Sequence, residues 1–163
     1  MADERLKTLW LLHGVNLDML GRRDPAVYGT LTLAELEAHV IAEGARQGFE
    51  VRCFQTNHEG ALVEKIHALV REGADAVLIN PGAWTHYSYA LRDALEMVDA
   101  PIAEVHLSAV AEREEWRRTS VIADLALVRI SGKGLEGYLE AVDRLVREVG
   151  AGRAPARGYP SDD

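Results

Sequence analysis

The sequence predicts a doubly wound α/β domain, a parallel sheet with helices on both faces. Three observations carry that expectation. Short apolar β-like runs alternate with helical patterns from Lys7 to Val149. One of those runs, residues 76–79, is apolar throughout, as a strand covered on both faces requires. Polar residues gather directly after the runs, at the edge where such sheets bind ligands.

The elements follow in order. Lys7–His13 (KTLWLLH) reads as the first strand. Residues 14–31 show neither helical nor strand period, and a loop that long in a compact domain is usually functional. Thr32 with Glu35 three residues on forms a capping box, opening a helix with Leu33, Leu36, Val40 and Ile41 on one face and Gly48 at its end. Phe49–Gln55 is the second strand. A helix carrying Leu62, Val63, Ile66, Leu69 and Val70 stops at Gly73, and residues 76–79 form the third strand. Residues 84–98 read as one helix, 101–105 as the fourth strand, 111–118 as a charged, exposed helical turn, and 125–130 as the fifth strand. Gly132 and Gly134 precede the last helix, 135–149. Residues 1–149 form a single domain on this reading, and 150–163, rich in Gly, Pro and charge, a flexible tail. Five strands in this alternation fit a flavodoxin-like order.

Composition narrows the partners. A chain of 163 residues with 48% apolar and 27% charged residues can bury its own core without a staple. The net charge of −8 argues against nucleic acid and anionic membrane surfaces. The lone cysteine, Cys53, lies in an apolar run and reads as a buried small apolar residue. The N-terminal apolar run is too short for a membrane span and lacks a signal-peptide layout, so a cytoplasmic protein is expected.

The strand ends deliver a convergent polar set: His13 and Asn16 after the first strand, Gln55, Thr56, Asn57 and His58 after the second, Asn80 after the third, His106 and Ser108 after the fourth. The loops over that edge are basic within an acidic chain: Arg22 and Arg23, then Arg113, Arg117 and Arg118. Clustered guanidiniums suit a carboxylate or phosphate ligand. Arg22 and Arg118 are expected to be solvated surface residues. No GxGxxG follows the first strand, and there is neither a GxxxxGK loop nor a GxSxG elbow. The six histidines lack zinc-like spacing, so neither a metal nor another cofactor is expected. Acid–base chemistry on an anionic small molecule is what this residue set leaves.

Longer motifs carry a resemblance. Leu12-His13-Gly14-Val15-Asn16-Leu17-Asp18-Met19-Leu20-Gly21, Arg23-Asp24-Pro25, Tyr28-Gly29, Gln55-Thr56-Asn57-His58-Glu59-Gly60, Asn80-Pro81-Gly82-Ala83, Thr85-His86, Arg92-Asp93-Ala94, Glu104-Val105-His106-Leu107-Ser108 and Arg113-Glu114-Glu115-Trp116-Arg117 occur in order. This series resembles the type II 3-dehydroquinate dehydratases over residues 7–148. The resemblance implies a metal-free dehydration of 3-dehydroquinate through an enolate. It implies Tyr28 as the base, ionised with help from Arg23 and Arg113, and His106, braced by Glu104, as the acid. It implies Asn16 as the residue holding a water against the enolate oxygen. Asn80, Ser108 and the backbone amides of Leu107 and Ser108 become the carboxylate pocket, and His86 and Arg117 the ligands of the ring hydroxyls. Asp93 becomes the residue that reaches a neighbouring subunit's site, in a trimer assembled further into a dodecamer.

The chain departs from the family pattern at Val15 (for proline), Asp18, Asp24, Thr56, Tyr87, Ala109, Val128 and Arg129. Tyr87, directly after His86, is positioned to narrow the pocket, and Ala109 removes an amide. Three readings therefore stand at this point: the dehydratase itself, a relative acting on another cyclic hydroxy-ketone or carboxylate, and a non-catalytic flavodoxin-like binding module.

Overall fold

The computed structural model describes residues 5–152. Five parallel strands, β1 (Lys7–His13), β2 (Phe49–Gln55), β3 (Ala76–Asn80), β4 (Ile102–His106) and β5 (Val128–Ser131), form one sheet in the order β2-β1-β3-β4-β5. That is the flavodoxin-like order expected from the alternation. β3 lies at the centre and every residue of it is buried, which is why its sequence carries no polar alternation.

Strand residues alternate between two cores. Leu9, Leu11, Leu78 and Val105 face α2 (Leu33–Arg46) and α5 (Gly134–Gly150), meeting Leu36, Val40, Tyr138 and Val142. Leu12, Val77, Ile79 and Ile102 face α3 (Glu59–Glu72) and α4 (Tyr89–Glu96), meeting Leu62, Ile66, Leu91 and Leu95. Each such leucine or isoleucine removed from water contributes roughly 1.5–3 kcal/mol. The capping box of α2 is present as expected, with the Thr32 hydroxyl accepting from the Glu35 amide and the Glu35 carboxylate from the Thr32 amide.

The structure redraws several boundaries. The helix expected over 84–98 is two pieces, a 3-10 turn (Gly82–His86) and α4, because Ser88 caps a new start by accepting from the Leu91 amide. β5 begins three residues later than expected, since Ala123–Leu125 forms a 3-10 turn that buries Leu125 against the α3–α4 core. The loop 14–31 contains a 3-10 turn (Leu17–Met19) and a short helix, α1 (Pro25–Tyr28), each too brief to show a period. Asp24 caps α1 by accepting from the Ala26 amide, with Pro25 at the first helical position. The expected tail from residue 153 onward lies outside the described residues. No helix among the described residues is long and apolar enough to cross a membrane.

The carboxyl ends of β1 and β3 are laced tightly together. The Gly14 amide donates to the Asn80 carbonyl at 2.8 Å. A Cβ on Gly14 would stand 2.1 Å from the Pro81 carbonyl oxygen, so only glycine allows the two loops this approach.

Candidate active site

The residues given site roles by the resemblance, Glu104 and Asp93 apart, line one cleft beyond the strand ends: Asn16, Arg23, Tyr28, Asn80, His86, His106, Leu107, Ser108, Arg113 and Arg117, whereas the strand-end residues His13, Gln55, Thr56, Asn57 and His58 do not line it. Val15, Leu17, Gly82, Ala83 and Val110 complete its wall. Those five are apolar or backbone-lining positions, and nothing in their residue type marks them as part of a site.

The first loop contributes a phenol paired with a cation. α1 places Tyr28 so that its hydroxyl oxygen accepts from Arg23 Nη2 at 2.6 Å. The Arg23 guanidinium carbon also stands 3.6 Å from the ring centroid, and that of Arg113 stands 5.2 Å from it. Negative charge on this oxygen would therefore be paired with the Arg23 guanidinium, with that of Arg113 near the same ring. Asn16 has φ 68°, the one positive φ outside glycine among the described residues. Asparagine tolerates that left-handed conformation better than most residues. Its amide donates to Asn57 Oδ1 at 2.8 Å, and Asn57 Nδ2 donates to Asp18 at 3.1 Å. The turn is thus braced from the loop after β2, and Asp18 supplies a charged acceptor for the brace.

β4 supplies the imidazole. Glu104 and His106 are two residues apart on a strand, hence on the same face. His106 Nε2 lies 2.6 Å from Glu104 Oε1 in a buried pair. A carboxylate only accepts, so Nε2 carries the hydrogen and Nδ1 is the ring nitrogen left for the cleft. Glu104 is fully buried and also accepts from the Ser120 hydroxyl at 2.8 Å and from Arg129 Nε at 3.0 Å. Burial pushes its carboxyl up, but the hydrogen bond and charge of His106, the charge of Arg129 and the Ser120 hydroxyl together hold it below the ordinary carboxylate value.

His86 lies beside it, with ring centroids 6.4 Å apart. Its Nδ1 is 2.7 Å from the Thr119 carbonyl oxygen, so Nδ1 donates and Nε2 is an acceptor. Burial lowers the His86 pKa; the Thr119 bond opposes this, while the nearby His106, Arg117 and Arg129 add to it. His86 is therefore neutral at pH 7. Asn80 Nδ2 donates to the buried Tyr138 hydroxyl at 2.8 Å, and its Oδ1 accepts from the Gly82 amide. One Asn80 N–H remains for a ligand. Burial raises the Tyr138 pKa, opposed by the Asn80 bond, so the phenol stays protonated.

The segment expected to be an exposed helical turn is two 3-10 turns, Val110–Glu112 and Glu115–Arg118. Their arginines do not behave alike. Arg113 and Arg117 turn into the cleft, Arg113 Nη1 donating to Ser108 Oγ at 3.2 Å and Arg117 Nε to Glu114 at 2.6 Å. Arg22 and Arg118 are exposed, as expected. Asp93 is exposed on α4 and does not line the cleft. Tyr87, expected to narrow the pocket, is 59% exposed and outside its lining. Ala109 is also outside the lining and packs where a Cβ on Gly132 would meet it at 3.0 Å. Of the departures from the family pattern, only Val15 touches the cleft. Cys53, expected to be buried, is only partly so; burial still pushes its thiol up to about 12, with the Glu37 charge adding to it.

The family model described as dehydroquinase class II matches residues 7–146. A 3-dehydroquinate dehydratase of Syntrophotalea carbinolica is 55% identical over 133 residues, covering 82% of this chain and 90% of that protein. One from Leptothrix cholodnii is 49% identical over 144 residues, covering 88% and 97%. The crystal structure of a type II dehydroquinase from Propionibacterium acnes superposes with a TM-score of 0.83 at 41% identity, covering 86% of this chain and 97% of that one. The chain belongs to the class II dehydroquinase family.

Proposed function

We propose that this hydro-lyase removes water from 3-dehydroquinate to give 3-dehydroshikimate, with Tyr28 as base and His106 as acid. The observation that carries the reading is the pairing of Tyr28 with Arg23 in the same cleft as a His106 pinned by Glu104. The Tyr28 phenolate takes the C2 proton, and the C–H electron pair forms the enolate with its charge on the ketone oxygen. Asn16 orders a water against that oxygen. As the enolate collapses, the C1–O bond breaks and His106 Nδ1–H protonates the departing hydroxyl, releasing water and leaving a C1–C2 double bond. Solvent then returns the Tyr28 proton to His106.

Substrate binding uses the remaining groups. The free Asn80 N–H, Ser108 and the Leu107 and Ser108 amides take the carboxylate, and Arg113 adds charge beside Ser108. His86 Nε2 accepts from a ring hydroxyl and Arg117 donates to one. The altered residues Tyr87 and Ala109 lie outside the cleft, which favours the family substrate over a different cyclic hydroxy-ketone. The product is a conjugated enone carboxylate, so the purified protein with 3-dehydroquinate is expected to produce a rise in ultraviolet absorbance. No rise at high enzyme concentration would sink the proposal.

Assembly is part of the same proposal. Tyr89, Asp93 and Met97 recur every four residues along α4 and its end, and all three are exposed. A stripe of large apolar side chains around a carboxylate suits burial against another copy, with Asp93 reaching the neighbour's cleft. Light scattering at micromolar concentration is expected to give a multiple of three subunits; a monomer would refute this.

A further inference from the structure

Glu104 is held by more than the mechanism requires. Its Oε1 accepts from both His106 Nε2 at 2.6 Å and Arg129 Nε at 3.0 Å, while its Oε2 accepts from the Ser120 hydroxyl at 2.8 Å. The arrangement follows from strand register. β4 and β5 pair Glu104 with Arg129, which places the two side chains abreast on one sheet face. The flanking Val128 and Ile130 point the other way, into the α2–α5 core. Arg129 is thus a basic residue on the face that carries the imidazole, with its Nη2 buried and without a hydrogen-bond partner among the described residues.

We propose that Arg129 is a positioning residue for His106, acting through the shared Glu104 oxygen to make the imidazolium a stronger acid. A lone buried carboxylate against an imidazole favours the charged ring, because the protonated pair is neutral overall. Such a ring gives up its proton reluctantly. With Arg129 on the same oxygen, the protonated triad carries one net positive charge, and the hydrogen bond from His106 is shared with a second donor. Both effects favour release of the proton from Nδ1. Arg129 and Ser120 also keep the carboxylate ionised and fixed when His106 becomes neutral, so Nε2 retains its hydrogen and the ring its orientation.

The other groups around His106 cannot take over this role. His86 faces it from the Gly82–His86 turn, Arg113 and Arg117 from the turns after β4, and Arg23 with Tyr28 from the first loop. None of these donates to Glu104, and all are left in place when Arg129 is changed. The inference rests on His106 acting as the acid, so the test separates the two ideas.

The ring resonances of His106 are to be followed through pH by NMR in the parent, R129Q and R129K, with H106N assigning the signal. Gln keeps a donor for Glu104 and removes only the charge. The titration midpoint is expected to rise by about one pH unit in R129Q and to return toward the parent in R129K. The midpoint of the fall in kcat at high pH should move with it, while KM stays within about twofold. A midpoint in R129Q within about 0.3 units of the parent overturns the proposal, since a residue that only stabilises the fold would leave it there. If the ring titration moves but the kcat limb does not, the coupling stands and the acid role of His106 falls.

Discussion

Tyr28→Phe is expected to lower kcat by a factor on the order of 10³ to 10⁴ while substrate affinity changes by no more than a few-fold, at the upper end of what a positioned base contributes. The substitution is informative because of how Tyr28 is held. The aromatic ring keeps its volume and its contact with the Arg23 guanidinium 3.6 Å above it. Only the oxygen that accepts from Arg23 Nη2 is lost. The groups assigned to binding, Asn80, Ser108, His86 and Arg117, are untouched. A loss confined to kcat is the signature of an interaction made in the transition state alone. Calorimetric titration of the variant with substrate, beside steady-state absorbance kinetics, measures both quantities. Retention of more than about a tenth of parental kcat would place the base elsewhere, because loss of a general base costs at least tenfold beyond that.

The sheet was legible because its strands are short, apolar and separated by strong punctuation. β1 and β2 fall on the predicted boundaries. Where boundaries moved, a local hydrogen bond decided the matter against a smooth apolar pattern. The Ser88 hydroxyl starts α4 only after Trp84 and Thr85, whose buried side chains look helical in sequence. The turn that buries Leu125 looks like a strand start, since an apolar residue before a strand has no mark of its own.

In the site, the residues that face the cleft were readable from strand-end position and family motifs. The residues that stand behind them were not. Asn57 was visible only as one more polar residue after β2, and its grip on the Asn16 amide depends on how the loops cross. Ser120 reaches Glu104 from 16 residues away through an irregular segment with no period. Tyr138 belongs by pattern to the apolar face of α5, and only the structure reveals its hydroxyl beneath Asn80. Arg129 did carry a signal, a charge in the middle of an apolar strand, but its partner requires the β4–β5 register.

Glu104→Gln is expected to destabilise the fold by about 3–5 kcal/mol, the cost of breaking a buried ion pair from one side. For a chain of this size that is a fall in melting temperature on the order of 10 °C. Removing the carboxylate charge leaves the Arg129 guanidinium partly buried, with Nη2 already lacking a partner. The double variant E104Q/R129Q should therefore lose less than the sum of the single changes, because no uncompensated charge remains. The pH dependence has a definite sign. Glu104 in the folded protein ionises below its ordinary value, since the donors around it outweigh the effect of burial. The unfolded chain then binds more protons than the folded one in that interval, so stability rises with pH. The contribution is complete above the unfolded carboxylate value near 4.3, and it is lost as pH falls through the folded value. Unfolding curves should show the gap between parent and E104Q narrowing below about pH 4.5. A gap that stays the same down to pH 3 would mean that Glu104 is already protonated in the folded protein. His106 would then have no anion to fix its tautomer, and the acid assigned to it would lose its support.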